Sequence, residues 1–160
     1  MIMKNRPIEI LLVEDSPSDT ELTMEAFREG SVESHLSHVE DGVEALSFLG
    51  RRQPYSQAPR PDLILLDLNL PQKDGREVLA ELKKDPELRT IPVVVLTTSR
   101  SDQDIARAYQ LQANCYISKP VEFEQFVRVV RLIEHFWLEV ASLPSDWECL
   151  AGRTFPPDSY

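Results

Sequence analysis

Five short apolar, largely β-branched runs alternate along this chain with segments of helical period, the pattern of βα units wound around a parallel sheet. The runs cover residues 8–14, 35–39, 63–67, 92–96 and 115–118. Ser18 with Glu21 three residues on reads as a capping box for a helix ending at Gly30, a suitable C′ residue. Val43, Leu46 and Leu49 recur at helical spacing over 42–49. Asp74 followed by Glu77 opens a helix bearing Val78, Leu79 and Leu82, and Ser101 with Asp104 opens another through Leu111. The last helix runs from Glu122 to about Val140. Residues 51–61 hold three prolines and read as a loop longer than a usual αβ connection. The expected class is α/β, a doubly wound five-stranded parallel sheet with five helices.

At 160 residues the chain fits one domain with a core of its own. Acids outnumber bases 27 to 17, for a formal net charge of -10, and the bases are scattered apart from Arg51-Arg52. Nucleic acid is therefore not an expected partner. No stretch approaches the roughly 20 apolar residues that span a bilayer, and the first seven residues lack a signal-peptide core, so no membrane association and a cytoplasmic protein are expected. Cys115 and Cys149 form no CxxC pair, and His35, His38 and His135 have no metal-ligand spacing with them, so no zinc site is expected.

The chemistry lies at the strand ends. Glu14-Asp15 close the first run, Asp67 the third, Thr97 follows the fourth and Lys119-Pro120 the fifth. Open parallel sheets bind ligands beyond the carboxyl ends of their strands, near the point where strand order reverses, and strands one and three should flank that point. Taken singly, Glu14-Asp15 reads as a helix N-terminal acid cluster, Lys119 as a solvated charge and Thr97 as a β-former. Their shared position at the ends of different strands favours one site. Three converging carboxylates repel one another unless a hard cation sits among them, and oxygen ligands with room for water suit Mg²⁺. A carboxylate attacks an anionic phosphoryl group poorly unless its charge is offset. Asp67 as the nucleophile, Lys119 as a second positive charge and Thr97 as a hydroxyl donor to a phosphoryl oxygen meet that need.

Over residues 8–140 the chain resembles the receiver domain of two-component response regulators. Glu14-Asp15 is similar to the family's acidic pair, Asp67 in Leu66-Asp67-Leu68-Asn69-Leu70-Pro71 to its phosphoacceptor, Thr97 to its switch hydroxyl, Tyr116 to its switch aromatic and Lys119-Pro120 to its lysine and proline. The resemblance implies the flavodoxin-like receiver fold with strand order 2-1-3-4-5. It also implies Mg²⁺ held by the side chains of Asp15 and Asp67, the backbone carbonyl of Asn69 and Glu14 through water, and a cis Lys119–Pro120 peptide. Asn69 and Thr98 would govern water access to the phosphoryl group. The acidic pair departs from the commoner Asp-Asp. Residues 59–63, 94–99, 114–117 and Phe136-Trp137 look like the small regulators that partner cyanobacterial-type phytochrome histidine kinases, which implies a phytochrome sensor histidine kinase as donor.

After Val140 about twenty residues remain, too few for a folded DNA-binding module, so a receiver domain over 1–141 and a tail over 142–160 are expected, with output through protein interaction. At ~100° per residue the last helix is apolar on two sides: Phe123, Phe126, Val127, Val130 and Trp137 on one, and Val129, Leu132, Phe136 and Val140 on the other. The second face is expected to form a homodimer through helix four, strand five and helix five. The alternative is a helix covered by the tail with Trp147. Two rival functions fit the same residues less well. A Mg²⁺-dependent phosphatase needs an Asp two residues after its nucleophile as general acid, and Asn69 cannot shuttle a proton, so turnover as an enzyme is not expected. A phosphorylation-independent receiver-like scaffold is disfavoured by the joint presence of Asp67, Thr97 and Lys119.

Overall fold

The computed structural model describes residues 6–144. The elements follow in the order β1 (Ile8–Val13), α1 (Pro17–Arg28), β2 (Ser34–Val39), α2 (Gly42–Leu49), β3 (Leu63–Leu66), α3 (Gly75–Lys84), β4 (Val93–Thr97), α4 (Asp102–Gln110), β5 (Cys115–Ser118) and α5 (Phe123–Glu134). α5 continues as a π-helical stretch, His135–Val140. All pairings are parallel and the sheet order is β2-β1-β3-β4-β5, the flavodoxin-like arrangement expected.

Side chains alternate across each strand, so every inner strand feeds two cores. Leu11, Val13, Ile64, Leu66, Val93 and Val95 pack with α2, α3 and α4. Their neighbours Ile10, Leu12, Leu63, Leu65, Val94 and Leu96 pack with α1 and α5. β3 and β4 are buried at every position, which is why they read as continuous apolar runs without alternation.

Three local expectations shift. The first helix is capped by Ser16, whose hydroxyl accepts from Asp19 N at 3.4 Å, and Ser18 lies inside the first turn. Pro17 explains the difference: its fixed φ suits the first helical position, so the cap falls one residue before it. Gly30 follows the cap residue Glu29 without a left-handed φ, and what it supplies is room, since a Cβ there would lie 2.4 Å from Glu134 Oε1. The cis X-Pro bond among the described residues is Gln53–Pro54, and Lys119–Pro120 is not cis as the resemblance implies. X-Pro isomers differ by only about 0.5–1 kcal/mol, so backbone context selects between them. Here Lys119 N continues the β5 ladder onto Thr97 O at 2.7 Å.

The last helix buries Phe126, Val130, Ile133 and Leu138, while Phe123, expected on the inward face, is 63% exposed. The π-helical segment turns more widely, as seen in Ala141 N bonding Phe136 O at 2.7 Å, and brings Leu138 into the core beside Trp137, which is half-buried against the same cluster as expected. On the other face Leu132, Phe136 and Val140 are exposed, and Val129 is half-buried against the α1–α5 core. Trp147 and the rest of the tail beyond residue 144 lie outside the described residues. Among the described residues no helix is long and apolar enough to cross a membrane.

Candidate functional site

Register brings the site together. Val13 pairs with Leu66, so the residues that follow, Glu14 and Asp67, leave adjacent strands side by side. Asp67 N donates to Val13 O and Glu14 N to Val39 O, both at 3.1 Å, which extends the ladder into the site. Thr97 pairs with Ser118, placing Lys119 one residue further along the neighbouring edge.

Glu14, Asp67, Thr97 and Lys119 are all buried. Buried charge is costly unless paired, and here it is paired several ways. Lys119 Nζ donates to Glu14 Oε2, to Asp19 Oδ2 at 3.0 Å and to Asp67 Oδ2 at 3.2 Å. Burial alone would lower the Lys119 pKa, but the hydrogen bond to Glu14, the charges of Asp67 and Glu14 and the hydrogen bond to Asp19 outweigh it and hold the amine protonated. Burial pushes the Glu14 carboxyl up to about 7, with Lys119 offsetting part of the effect and the Asp67 charge adding to it.

Carboxylate oxygens of Glu14, Asp15 and Asp67 lie within 4.8 Å of one another. An all-oxygen set with one exposed member, Asp15, fits a hard divalent cation that keeps water ligands, so the residues present match the metal that the strand-end chemistry implies. Asn69 is exposed, and its backbone N donates to Asp67 Oδ1 at 3.2 Å, fixing the carboxylate from the side opposite Lys119. Thr97 Oγ1 is buried without a hydrogen-bond partner. An unsatisfied buried hydroxyl is an unmet demand for an oxygen partner. Thr98, next along, is exposed.

Tyr116 is half-buried, and its hydroxyl donates to Ser99 O at 3.0 Å, the carbonyl that Ser118 Oγ also reaches at 3.1 Å. Ser99 Oγ bonds Asp104 at 2.5 Å, and Asp104 pairs with Arg76 at 2.7 Å. The segment after Thr97 is thus tied to β5, α3 and α4 together.

Sequence reasoning missed two site residues. Asp19 reaches Lys119 from the first turn of α1, four residues after Asp15, and the only signal was helical phase. Gly75 opens α3 where a Cβ would lie 2.2 Å from Asp67 O, so the backbone of the Asp67 loop approaches as only glycine permits. The remaining predicted residues, Val129, Leu132, Phe136 and Val140, lie on α5 and its extension, apart from this cluster.

A doubly wound sheet with an acid cluster, a buried lysine and an open hydroxyl at its carboxyl edge defines a receiver, and the chain belongs to the response regulator receiver domain family, whose model matches residues 10–131. It is 48% identical to response regulator Rcp1 of Synechocystis sp. over 141 residues, 88% of this chain and 96% of that one. The solved Mn²⁺-bound form of Rcp1 superposes with a TM-score of 0.85 at 48% identity, covering 87% of this chain and all of that one. The phosphorylated cyanobacterial phytochrome response regulator RcpA does so with a TM-score of 0.85 at 51% identity, covering 88% and 100%.

Proposed function

We propose that this chain takes a phosphoryl group from a sensor histidine kinase of the phytochrome class onto Asp67, assisted by Mg²⁺, and signals through protein–protein association. The observation that carries the reading is the Asp67 carboxylate held between Asn69 N and the shared Lys119 amine, with the partnerless Thr97 hydroxyl at the end of the adjacent strand. Glu14, Asp15 and Asp67 with the Asn69 carbonyl would hold Mg²⁺, which when bound supplies positive charge to offset that of the carboxylates and the incoming phosphoryl oxygens.

The chain's own part follows from the geometry. Asp67 attacks phosphorus as the bond to the donor nitrogen breaks. Lys119, permanently charged, stays beside the newly added oxygens. Thr97 donates its hydroxyl to one of them, and the 97–99 segment moves with it. That motion strains the Ser99 carbonyl's bonds to Tyr116 and Ser118, so a charge change at Asp67 reaches α4 and β5.

Likeness to the phytochrome response regulator RcpA supports the phytochrome partner. The exposed Leu132, Phe136 and Val140, with half-buried Val129, support a homodimer through α4, β5 and α5. The net charge of -10 supports a partner other than nucleic acid. Asn69 in place of a general acid argues against catalytic turnover of phosphate esters. Intact-protein mass after incubation with acetyl phosphate tests the core of the reading. A single Mg²⁺-dependent phosphoryl adduct, absent in Asp67→Asn, is expected. No adduct in the wild type would favour the phosphorylation-independent scaffold.

A further inference from the structure

His38 takes no part in the transfer, yet from the end of β2 its ring reaches the loop that carries Asp15. Nε2 lies 2.7 Å from Glu14 O and 3.3 Å from Thr20 Oγ1. A carbonyl only accepts, so Nε2 carries the proton and donates. The Thr20 hydroxyl is itself committed as donor to Ser16 O at 2.9 Å, which leaves its oxygen to accept from the same Nε2–H. Ser16 N returns to Glu14 Oε1 at 3.0 Å. Glu14 O, in the peptide unit that precedes Asp15, is therefore held by His38, and Ser16 O, one residue beyond Asp15, by Thr20, and the two holders are bonded to one another.

We propose that His38, acting with Thr20, is a positioning residue for the divalent-cation site: His38 fixes the peptide unit that precedes Asp15 while Thr20 ties the residue that follows it, so that this exposed carboxylate meets Glu14 and Asp67. The inference rests on the reading of those three acids as a metal site. Asp15 is the member of the cluster that lies outside the buried core, so its place depends on the loop backbone more than on packing. Groups that orient a metal's ligands commonly change affinity by 10–100-fold when removed. His38 is half-buried and acts on a carbonyl beside the ligand, so the low end, about tenfold, is expected.

The site also separates positioning from stability. With Asp15, Thr20, Met24, Arg28 and Glu40, His38 lines an open cleft of about 360 Å³, so replacing its ring leaves the hydrophobic core untouched. Gln places an amide N–H near the imidazole Nε2, whereas Leu fills similar space without a donor.

The experiment is calorimetric titration of the full chain with Mn²⁺, alongside metal-free thermal melting, for wild type, Asp15→Asn, His38→Leu and His38→Gln. Expected are one site in the wild type, weakened in Asp15→Asn, about tenfold weaker in His38→Leu and restored in His38→Gln, with the metal-free melting temperature of His38→Leu unchanged. The proposal falls if His38→Leu binds Mn²⁺ as the wild type does, if His38→Gln is as weak as His38→Leu, or if weakening comes with a lower metal-free melting temperature. A wild type that binds no Mn²⁺, or an Asp15→Asn variant that binds as well as wild type, overturns the metal-site reading and this inference together.

Discussion

Lys119 Nζ lies 3.0 Å from Asp19 Oδ2, so the amine that faces Asp67 from the end of β5 is also gripped from the first turn of α1. One cation thereby holds three elements at the site: β1 through Glu14, the end of β3 through Asp67 and α1 through Asp19.

Removing that cation should be costly. Lys119→Ala leaves Glu14 and Asp67 buried without their counter-charge, and breaking a buried pair in this way destabilises by about 3–5 kcal/mol. Urea unfolding should show the loss, and millimolar Mg²⁺ should recover part of it by binding the folded state alone. Asp19→Asn should change stability by no more than about 1 kcal/mol, because its carboxylate is partly exposed.

Glu14 sets a pH dependence whose sign is definite. Its carboxyl is pushed from 4.5 up to about 7 on folding, chiefly by burial, so the metal-free folded state binds more protons than the unfolded chain. That contribution to stability is complete below about pH 4.5 and is lost as pH rises through about 7. Denaturant midpoints without metal should fall across this window, and Glu14→Gln should flatten the fall. Divalent-cation affinity should rise over the same window, since the ligand must shed its proton.

Thr97→Ala removes a hydroxyl that has no partner before phosphorylation, so thermal melting of the unmodified protein should change little. The variant should still gain the phosphoryl adduct but lose any phosphorylation-dependent rise in association measured by sedimentation. Equal association constants for variant and wild type would remove Thr97 from the switch.

Phe136 is 51% exposed, so Phe136→Glu should leave stability within about 0.5 kcal/mol while abolishing self-association. Sedimentation velocity at micromolar protein, with and without acetyl phosphate, checks this. A wild type that stays monomeric in both states would dismiss the α4, β5 and α5 dimer.

Gly75→Ala should destabilise by about 1–3 kcal/mol through overpacking against Asp67 O, and its phosphorylation should slow because the Asp67 loop must shift to make room. Melting temperature and adduct formation over time report the two effects.

The strands and the residues at their ends were legible in sequence because both are local. A buried strand needs a run of apolar residues, as at Leu63–Leu66 and Val93–Thr97, and the residue that ends the run must face the sheet edge. Glu14, Asp67, Thr97 and Lys119 follow from that alone. Nothing local tells how α1 turns against β5, so the meeting of Asp19 with Lys119 appeared only in the fold, as did that of His38 with Glu14 O. Helical phase turns Phe123 inward, but it lies in the first turn of α5, where it stays exposed, and the π-helical stretch adds Leu138 to the buried face beside Trp137. Hydrophobic period and strand ends are written in neighbouring residues, whereas contacts between elements depend on register and docking angle, which many distant side chains decide together.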